Sequence, residues 1–344
     1  MQSLGVTVPR TILATRPARR QFSTSHTPSV ALRCPACRGS LTALTYSTLG
    51  GSHESITCRE CFTILRQEQG IWRALPENRQ EYFRRFIQDY EKVRRAEGRG
   101  SDDPRFYLSL PHQDRTGRNS WQWAIRTRTY TYIKRRILPT LQRSESKSLT
   151  VLDLGAGNAW LSYRLATLGH RPIAIDLQTN VFDGLRAAFH YQEKLPMLFP
   201  RFQAELDRLP FESTQFDCAI FNASFHYSED YDRTLAEAIR CLHPGGTVVI
   251  ADSPFYSRDE AGRRMLEERR QLFQKTFGLT ANGLACREYL TRDILLALEA
   301  RHGVQWTTHK LWYGLRWACR PLMAKCKRRR EPSQFRIYTA QVGS

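Results

Sequence analysis

The chain has 344 residues and a formal net charge of +19; hydrophobic residues make up 41% of it and aromatic residues 11%. This composition is ordinary for a packed globular protein and excludes a wholly disordered chain. No apolar run approaches 18 residues, so the sequence predicts no transmembrane helix. The excess of positive charge favours anionic partners such as RNA, DNA, acidic lipid or an acidic protein.

Residues 1–33 contain five arginines and no acidic residue, which predicts a disordered basic segment. The same composition is typical of a mitochondrial transit peptide, and the run Arg20-Gln21-Phe22-Ser23 resembles a processing site. A plain disordered tail is the alternative interpretation. We expect a cytoplasmic protein, with the mitochondrial matrix as the alternative location.

Residues 34–75 form a compact cysteine module. Two Cys-x2-Cys pairs, Cys34 with Cys37 and Cys58 with Cys61, are separated by 20 residues. This spacing is typical of a zinc ribbon, in which four thiolates complete a closed tetrahedral site with a structural role. A disulfide framework fits less well, because the other five cysteines are scattered: Cys218, Cys241, Cys286, Cys319 and Cys326. The stretch from Cys58 through Trp72 resembles the zinc ribbons that precede some bacterial methyltransferases, including certain rRNA methyltransferases.

Residues 76–145 are predicted to form a helical cap or linker. Apolar and aromatic residues recur at helical spacing over 80–95, and a second helix is predicted over 121–141. We expect these helices to cover a cofactor or substrate pocket.

The most informative segment is 151–160, in which a short apolar run ends in Asp153 and is followed by Gly155 and Gly157. A helix is predicted next, then a second apolar run that ends in Asp176. This strand–glycine turn–helix–strand–acid unit holds a nucleoside-bearing cofactor at strand ends. A dinucleotide would require a small third residue where the chain has Trp160, so S-adenosylmethionine, which carries no phosphate, fits better.

Downstream, an acidic loop with Leu-Pro-Phe (205–211) precedes a buried strand (215–222), a helix (230–242) and a Pro-Gly-Gly turn leading to another strand (243–252). Over about residues 148–255 the chain resembles class I S-adenosylmethionine-dependent methyltransferases. The resemblance implies an α/β domain over 146–344. It has a Rossmann-like, seven-stranded sheet, mostly parallel, with helices on both faces. Residues 304–311 and 335–341 are predicted to form its closing antiparallel hairpin.

The same resemblance implies the cofactor contacts. Gly155 and Gly157 would lie under the methionine and ribose parts, with Asp153 ordering the turn, and Asp176 would bind the ribose hydroxyls. Further candidates follow the next two strands: Glu205 or Asp207 for the adenine amino group, and Asn222 where methyl group and substrate meet.

His226 is the leading candidate for a general base, because its ordinary pKa lies near neutrality. Packing against the cofactor is the alternative role, and methyl transfer requires a base only if the acceptor keeps its proton. We expect an S-adenosylmethionine-dependent methyltransferase, with a small metabolite slightly favoured as acceptor. The alternatives are an RNA methyltransferase using the ribbon and the basic tail (310–344), and a non-catalytic cofactor-binding module.

Overall fold

The structure is a computed structural model that describes residues 29–51, 55–141, 148–278 and 284–343. Most of the predicted disordered segment, residues 1–28, lies outside the described residues, and with it the proposed transit peptide. Among the helices described, none combines the length and apolar character needed to cross a membrane.

Of the twelve strands in the described residues, ten form one sheet with the order β11-β12-β10-β9-β6-β7-β8-β5-β4-β3, while β1 and β2 form a separate pair. The strands are β1 (Ser29–Val30), β2 (Leu44–Thr45), β3 (Ser55–Thr57), β4 (Ile64–Glu68), β5 (Ile71–Arg73), β6 (Thr150–Leu154), β7 (Arg171–Asp176), β8 (Arg201–Gln203), β9 (Phe216–Asn222), β10 (Leu242–Ala251), β11 (Thr307–His309) and β12 (Ile337–Gln341).

Strands β6 to β12 form the predicted seven-stranded sheet, in which β10, β9, β6, β7 and β8 are parallel neighbours. The predicted closing hairpin is also present, because β12 pairs antiparallel with both β10 and β11. The α/β, Rossmann-like fold class is therefore confirmed.

The cysteine module extends this sheet. Strand β5 pairs in parallel with β8, and β4 and β3 continue the sheet as antiparallel neighbours. The predicted domain boundaries stay predictions, but hydrogen-bonded strands cross the one at residue 75.

Eleven α-helices are described: α1 (Tyr46–Gly50), α2 (Glu77–Ala96), α3 (Pro104–Ser109), α4 (Ser120–Tyr132), α5 (Leu138–Leu141), α6 (Trp160–Thr167), α7 (Tyr231–Cys241), α8 (Asp259–Phe277), α9 (Arg292–His302), α10 (Leu315–Ala318) and α11 (Arg320–Cys326). A π-helical turn (Ile133–Ile137) joins α4 to α5, and 3-10 turns cover Leu185–Lys194 and Phe225–Tyr227. Capping residues define the ends of several helices. Asp230 caps the amino end of α7, and Gly278 ends α8 in a left-handed conformation.

The parallel pairing of β5 determines where α2 lies. Parallel neighbours end at the same edge of a sheet, and α2 begins at Glu77, four residues after β5 ends at Arg73. The helix therefore starts at the edge where β6 to β10 also have their carboxyl ends, which is where α/β proteins bind ligands.

One continuous core joins the module to the larger domain, from Val30 to Tyr338. Trp72 of β5 is fully buried in it, stacks on Phe202 of β8 at a centroid distance of 6.1 Å, and donates its indole N–H to the Leu49 carbonyl at 3.1 Å. A large buried aromatic residue at this junction contributes strongly to stability.

We expect Trp72→Ala to lower the free energy of unfolding by about 3–5 kcal/mol, because it leaves a cavity between the module and the larger domain. Denaturant unfolding followed by circular dichroism measures the change. Phe62→Ala is the matched control, since Phe62 lies in the same module and is 76% exposed. Equal effects of the two substitutions would contradict a shared core.

Candidate active site

The carboxyl ends of three neighbouring parallel strands carry left-handed residues. Gly155, Ala223 and Asp252 follow β6, β9 and β10 directly and have φ values of 77°, 59° and 51°. A Cβ atom at Gly155 would overlap the side chain of Ser224, so only glycine fits there. Such conformations are costly for residues with side chains and cluster at functional sites.

Asp176 lies at the end of β7 and orders the glycine turn. Its Oδ2 accepts the Gly157 N–H at 2.7 Å, and its Oδ1 accepts the Gln178 N–H at 2.7 Å. Burial raises the pKa of Asp176 to about 6, so the carboxylate is ionised at neutral pH. Each carboxylate oxygen can accept a second hydrogen bond, which leaves Asp176 able to bind ribose hydroxyls.

The side chain of Asp153, one of the predicted cofactor-site residues, forms its hydrogen bonds within the protein. Its Oδ2 accepts both the backbone N–H (3.1 Å) and the hydroxyl (2.7 Å) of Ser162 in α6, and it does not line the cofactor cavity. Burial raises the pKa of Asp153 to about 7. Its contacts join β6 to α6 and hold the glycine turn between them, which agrees with an ordering role.

A cavity of about 110 Å³ lies at this edge of the sheet. Predicted site residues that line it are Gly155, Asp176, Glu205 and Asp207. Gly157 and Asn222 do not line it: the Gly157 N–H donates to the lining residue Asp176, and Asn222 ends β9 just before the lining residues Ala223 and Ser224. Helix α2 covers the cavity with an aromatic face: Phe83, Phe86 and Tyr90.

Two ion pairs hold α2 over the cavity. Arg79, near the start of the helix, donates to the buried Glu205 carboxylate at 2.7 and 3.0 Å. Arg94, near its end, donates to Asp183 at 2.5 Å. The proposed adenine contact of Glu205 therefore competes with Arg79, while Asp207 lines the cavity without such a partner among the described residues.

A second cavity, of about 520 Å³, adjoins the first. The two share the lining residues Phe86, Tyr90, Ala223 and Tyr227, so they meet at these side chains. We call the larger cavity the chamber. Five arginines line it, from α2, the loop after α2, α4, α8 and α11: Arg94, Arg99, Arg126, Arg269 and Arg320. Three carboxylates oppose them: Asp89, Glu97 and Asp252.

Two of these guanidinium groups have unused hydrogen-bonding capacity. Arg126 stacks on Trp123 at 4.7 Å, and no carboxylate among the described residues forms an ion pair with it. Burial lowers the pKa of Arg126 to about 10, so it remains charged at neutral pH. Arg99 donates to Glu97 through Nε, but its buried Nη1 has no hydrogen-bond partner.

His226 lines the chamber, is buried, and has its Nδ1 at 3.2 Å from the Ser253 hydroxyl. Burial, with the charges of Arg269 and Arg126, lowers its pKa to about 3. The imidazole is therefore neutral, but a group with so low a pKa accepts a proton weakly unless an anion nearby offsets the two arginines.

Asp252 is another candidate proton acceptor in the chamber. Its Oδ1 accepts the Thr129 hydroxyl at 2.6 Å, whereas its Oδ2 is buried without a partner. Burial raises the pKa of Asp252 above its ordinary value. An unpartnered carboxylate oxygen in a cavity is costly in a folded protein and marks a group available to a ligand.

The sequence did not predict the chamber arginines. The arginines come from separate segments, and an arginine on a polar helix gives no signal of which way it points. The one available signal was the arrangement of aromatic residues at helical spacing over 80–95, which predicted a helix able to cover a pocket.

Trp160 occupies the position where a dinucleotide site would have a small residue. It begins α6, is buried, and packs edge-on against Trp123 and Tyr130 of α4 at 6.0 and 5.9 Å. The helix start is thus filled by an indole ring, which excludes the close pyrophosphate contact of dinucleotide enzymes.

The four module cysteines converge on one point. Their sulfur atoms all lie within 4.8 Å of one another, with 3.5 Å between Cys34 and Cys61 and 3.6 Å between Cys37 and Cys58. Zn–S bonds of about 2.3 Å in a tetrahedron place sulfur atoms about 3.8 Å apart. The geometry therefore fits a zinc ion, as the spacing of the cysteines predicted.

Residues 152–250 match the methyltransferase domain family. The chain contains a class I S-adenosylmethionine-dependent methyltransferase domain. It is 29% identical over 170 residues to an uncharacterized methyltransferase of Geobacillus kaustophilus, a match that covers 49% of this chain and 74% of that one. It is also 26% identical over 122 residues to the malonyl-[acyl-carrier protein] O-methyltransferase of Buchnera aphidicola, covering 34% of this chain and 45% of the relative.

Among solved structures, an S-adenosylmethionine-dependent methyltransferase from Mesorhizobium loti is 18% identical, with a TM-score of 0.42 over 59% of this chain and 95% of that one. The family match begins within β6 and ends within β10, so α2, α4, α8 and the segment between β11 and β12 lie outside it. Those elements and the loop after α2 supply the chamber arginines.

Cofactor affinity should depend on pH through Asp176. If Asp176 binds the ribose as predicted, its ionised carboxylate would accept the hydroxyl hydrogen bonds, so affinity should be high above the pKa of about 6 and fall as the pH drops below it. One pH unit below that pKa the loss should be about tenfold. Isothermal titration calorimetry with S-adenosylhomocysteine measures it.

Asp176→Ala should weaken binding at neutral pH by at least about tenfold, because each hydrogen bond to a charged group contributes about 1.5–3 kcal/mol. It should also remove the pH dependence between about 5 and 7 that arises from this group. Asp293→Ala, an exposed acid in the first turn of α9, is the control. Unchanged affinity in Asp176→Ala would refute the assignment.

Proposed function

We propose that the protein methylates a small acceptor that carries an anionic group, and that the chamber binds this acceptor. The supporting observation is a guanidinium group, that of Arg126, which has no carboxylate partner among the described residues and lies in a cavity next to the proposed cofactor site. Three other arginines of this cavity are already compensated, because Arg94, Arg99 and Arg269 pair with Asp183, Glu97 and Glu288. An acceptor anion would supply the partner that Arg126 lacks.

The chain's own residues would mainly orient the reactants. S-adenosylmethionine supplies a methyl group already activated by its positively charged sulfur. We propose that Asp176 holds the ribose, that Asp207 with Glu205 holds the adenine end, and that Gly157 and Asn222 complete the cofactor surface. The shared wall at Ala223 and Tyr227 would then bring the methyl group to the chamber.

Transfer breaks the carbon–sulfur bond, leaves its electron pair on sulfur and forms a bond to the acceptor atom. If that atom carries a proton, two side chains can accept it. Asp252 offers its unpartnered Oδ2. His226 remains a candidate, because an acceptor anion beside Arg126 and Arg269 would raise its pKa from about 3.

A labelling experiment separates this proposal from its alternatives. Purified protein is incubated with S-adenosylmethionine carrying a tritiated methyl group, together with either the small-molecule fraction or the total RNA of cells. We expect label in the small-molecule fraction. Label in RNA alone would favour an RNA methyltransferase. No label from a protein that still binds S-adenosylhomocysteine would favour a non-catalytic module.

Arg126→Met tests the anion site. It should reduce labelling at least about tenfold, since one charge-assisted hydrogen bond to an anion contributes about 1.5–3 kcal/mol. Affinity for S-adenosylhomocysteine should stay unchanged, because Arg126 does not line the cofactor cavity. The control is Arg135→Met, an exposed residue in the following π-helical turn. Full labelling by Arg126→Met would contradict the proposal.

We also propose that Cys34, Cys37, Cys58 and Cys61 bind one structural zinc ion. The module is short, and its second Cys-x2-Cys pair forms the turn between β3 and β4, so a metal would fix the register of these strands. The residues that flank its first pair contact the larger domain: Arg38 pairs with Glu237 of α7 at 2.6 Å, and the Arg33 N–H donates to the Pro210 carbonyl of the Leu-Pro-Phe loop at 3.1 Å.

Metal analysis of the purified protein should find about one zinc ion per chain. Cys34→Ser with Cys37→Ser should abolish the zinc content and lower the melting temperature, because the module shares its core with the larger domain. Cys319→Ser with Cys326→Ser, two exposed cysteines elsewhere, is the control. A metal-free protein of unchanged stability would refute the site.

A further inference from the structure

The connection between β11 and β12 carries α10 and α11, which are almost one helix. The Cys319 N–H donates to the Leu315 carbonyl at 2.9 Å, and the Met323 N–H donates to the Cys319 carbonyl at 3.0 Å. These two hydrogen bonds meet at Cys319, the single residue between α10 and α11, and we treat residues 315–326 as one helical segment. We call it the C-terminal helical segment.

One face of this segment packs against the protein. Trp317 lies between Trp121, at a centroid distance of 6.1 Å, and Phe335, at 5.3 Å. The guanidinium of Arg320 stacks on Trp317 at 3.7 Å and donates to the Ser333 carbonyl at 3.1 Å. All of these residues line the chamber, so this face forms one of its walls.

The opposite face is apolar and exposed. Leu315, Leu322 and Met323 are 74%, 66% and 50% exposed, and their spacing of seven and eight residues places them on one side of a helix. Cys319 lies in the same stripe and is also exposed. Trp312, just before the segment, is 64% exposed. An amphipathic helix of a globular protein normally turns its apolar stripe to the core, and this segment turns it outward.

Basic residues border the stripe. Arg316 and Lys325 flank it on the helix, and Lys327, Arg328 and Arg329 follow directly. No ion pair to Lys325 or to the last three occurs in the part of the chain that the structure describes. Residues 310–344 contain nine basic residues and a single acid, Glu331.

We propose that the C-terminal helical segment docks on the surface of an anionic lipid bilayer. Exposed aliphatic side chains bordered by lysine and arginine are the features of an interfacial helix, in which apolar burial and attraction to anionic headgroups add together. RNA would use the positive charge, but Leu315, Leu322 and Met323 cannot stack on bases as aromatic residues do. The stripe therefore favours lipid over RNA.

Docking on a bilayer also has a consequence for the place where the acceptor binds, which rests on the proposed function. The helix that would lie on the bilayer forms a chamber wall with its other face, at Trp317 and Arg320. The bilayer and the chamber would then lie on opposite faces of the same helical segment.

Co-sedimentation of the full chain with lipid vesicles tests the docking. Vesicles of phosphatidylcholine alone are compared with vesicles that also contain phosphatidylglycerol. We expect at least about tenfold more binding to the mixed vesicles. Leu315→Ser, Leu322→Ser and Met323→Ser combined should reduce that binding at least about tenfold. Lys327→Glu, Arg328→Glu and Arg329→Glu combined should remove the preference for anionic lipid.

Leu272→Ser with Leu296→Ser is the control, because these leucines are also exposed (58% and 47%) but lie on α8 and α9. Unchanged circular dichroism and unchanged affinity for S-adenosylhomocysteine show that each variant folds, and they keep this test separate from that of the methyltransferase. Equal binding to both kinds of vesicle, no binding, or binding unaffected by the serine substitutions would overturn the proposal. Retention of total RNA on filters without vesicle binding would overturn it in favour of RNA.

Discussion

The parallel pairing of β5 with β8 is the constraint on which the arrangement of the site depends. Because β5 runs in the same direction as the methyltransferase strands, it ends at their ligand-binding edge and starts α2 there. A cysteine module joined in the antiparallel sense would send the chain to the other edge. The module therefore determines the position of the helix that covers the cofactor cavity.

Holding ionisable groups at this edge costs stability, which is typical of preformed sites. The folded-state pKa values of Asp153 and Asp176, about 7 and about 6, lie above the ordinary value of 3.8. A raised carboxyl pKa favours folding while the group is neutral. This contribution is present at acidic pH and is lost as the pH rises through about 6 to 7, so both carboxylates destabilise the fold at neutral pH. Hydrogen bonds from Ser162, Gly157 and Gln178 partly offset the cost.

The sequence predicted the elements whose signals are local. The glycine turn after β6, the acid at the end of β7 and the Pro-Gly-Gly turn each combine a strand end with a residue type that the turn requires, and together they identified the fold and the cofactor. The cysteine cluster was predictable because the spacing within each Cys-x2-Cys pair determines the local geometry.

Features that depend on contacts between distant segments were not predictable in this way. Strand β5 has only three residues, so its pairing with β8, more than a hundred residues away, leaves no periodic signal. The ion pair of Glu205 with Arg79 joins two distant segments, and no pattern in the sequence predicts their contact. The low pKa of His226 likewise arises from burial beside arginines of α4 and α8, which sequence alone does not bring together.

The most direct test of this account is a crystal structure of the protein with S-adenosylhomocysteine bound. We predict that the ribose hydroxyls lie within hydrogen-bonding distance of the Asp176 carboxylate. The sulfur atom should lie at the wall shared by the two cavities, beside Ala223 and Tyr227, and point into the chamber. A ligand bound at another edge of the sheet, or a sulfur atom that points away from the arginine-lined chamber, would contradict the account.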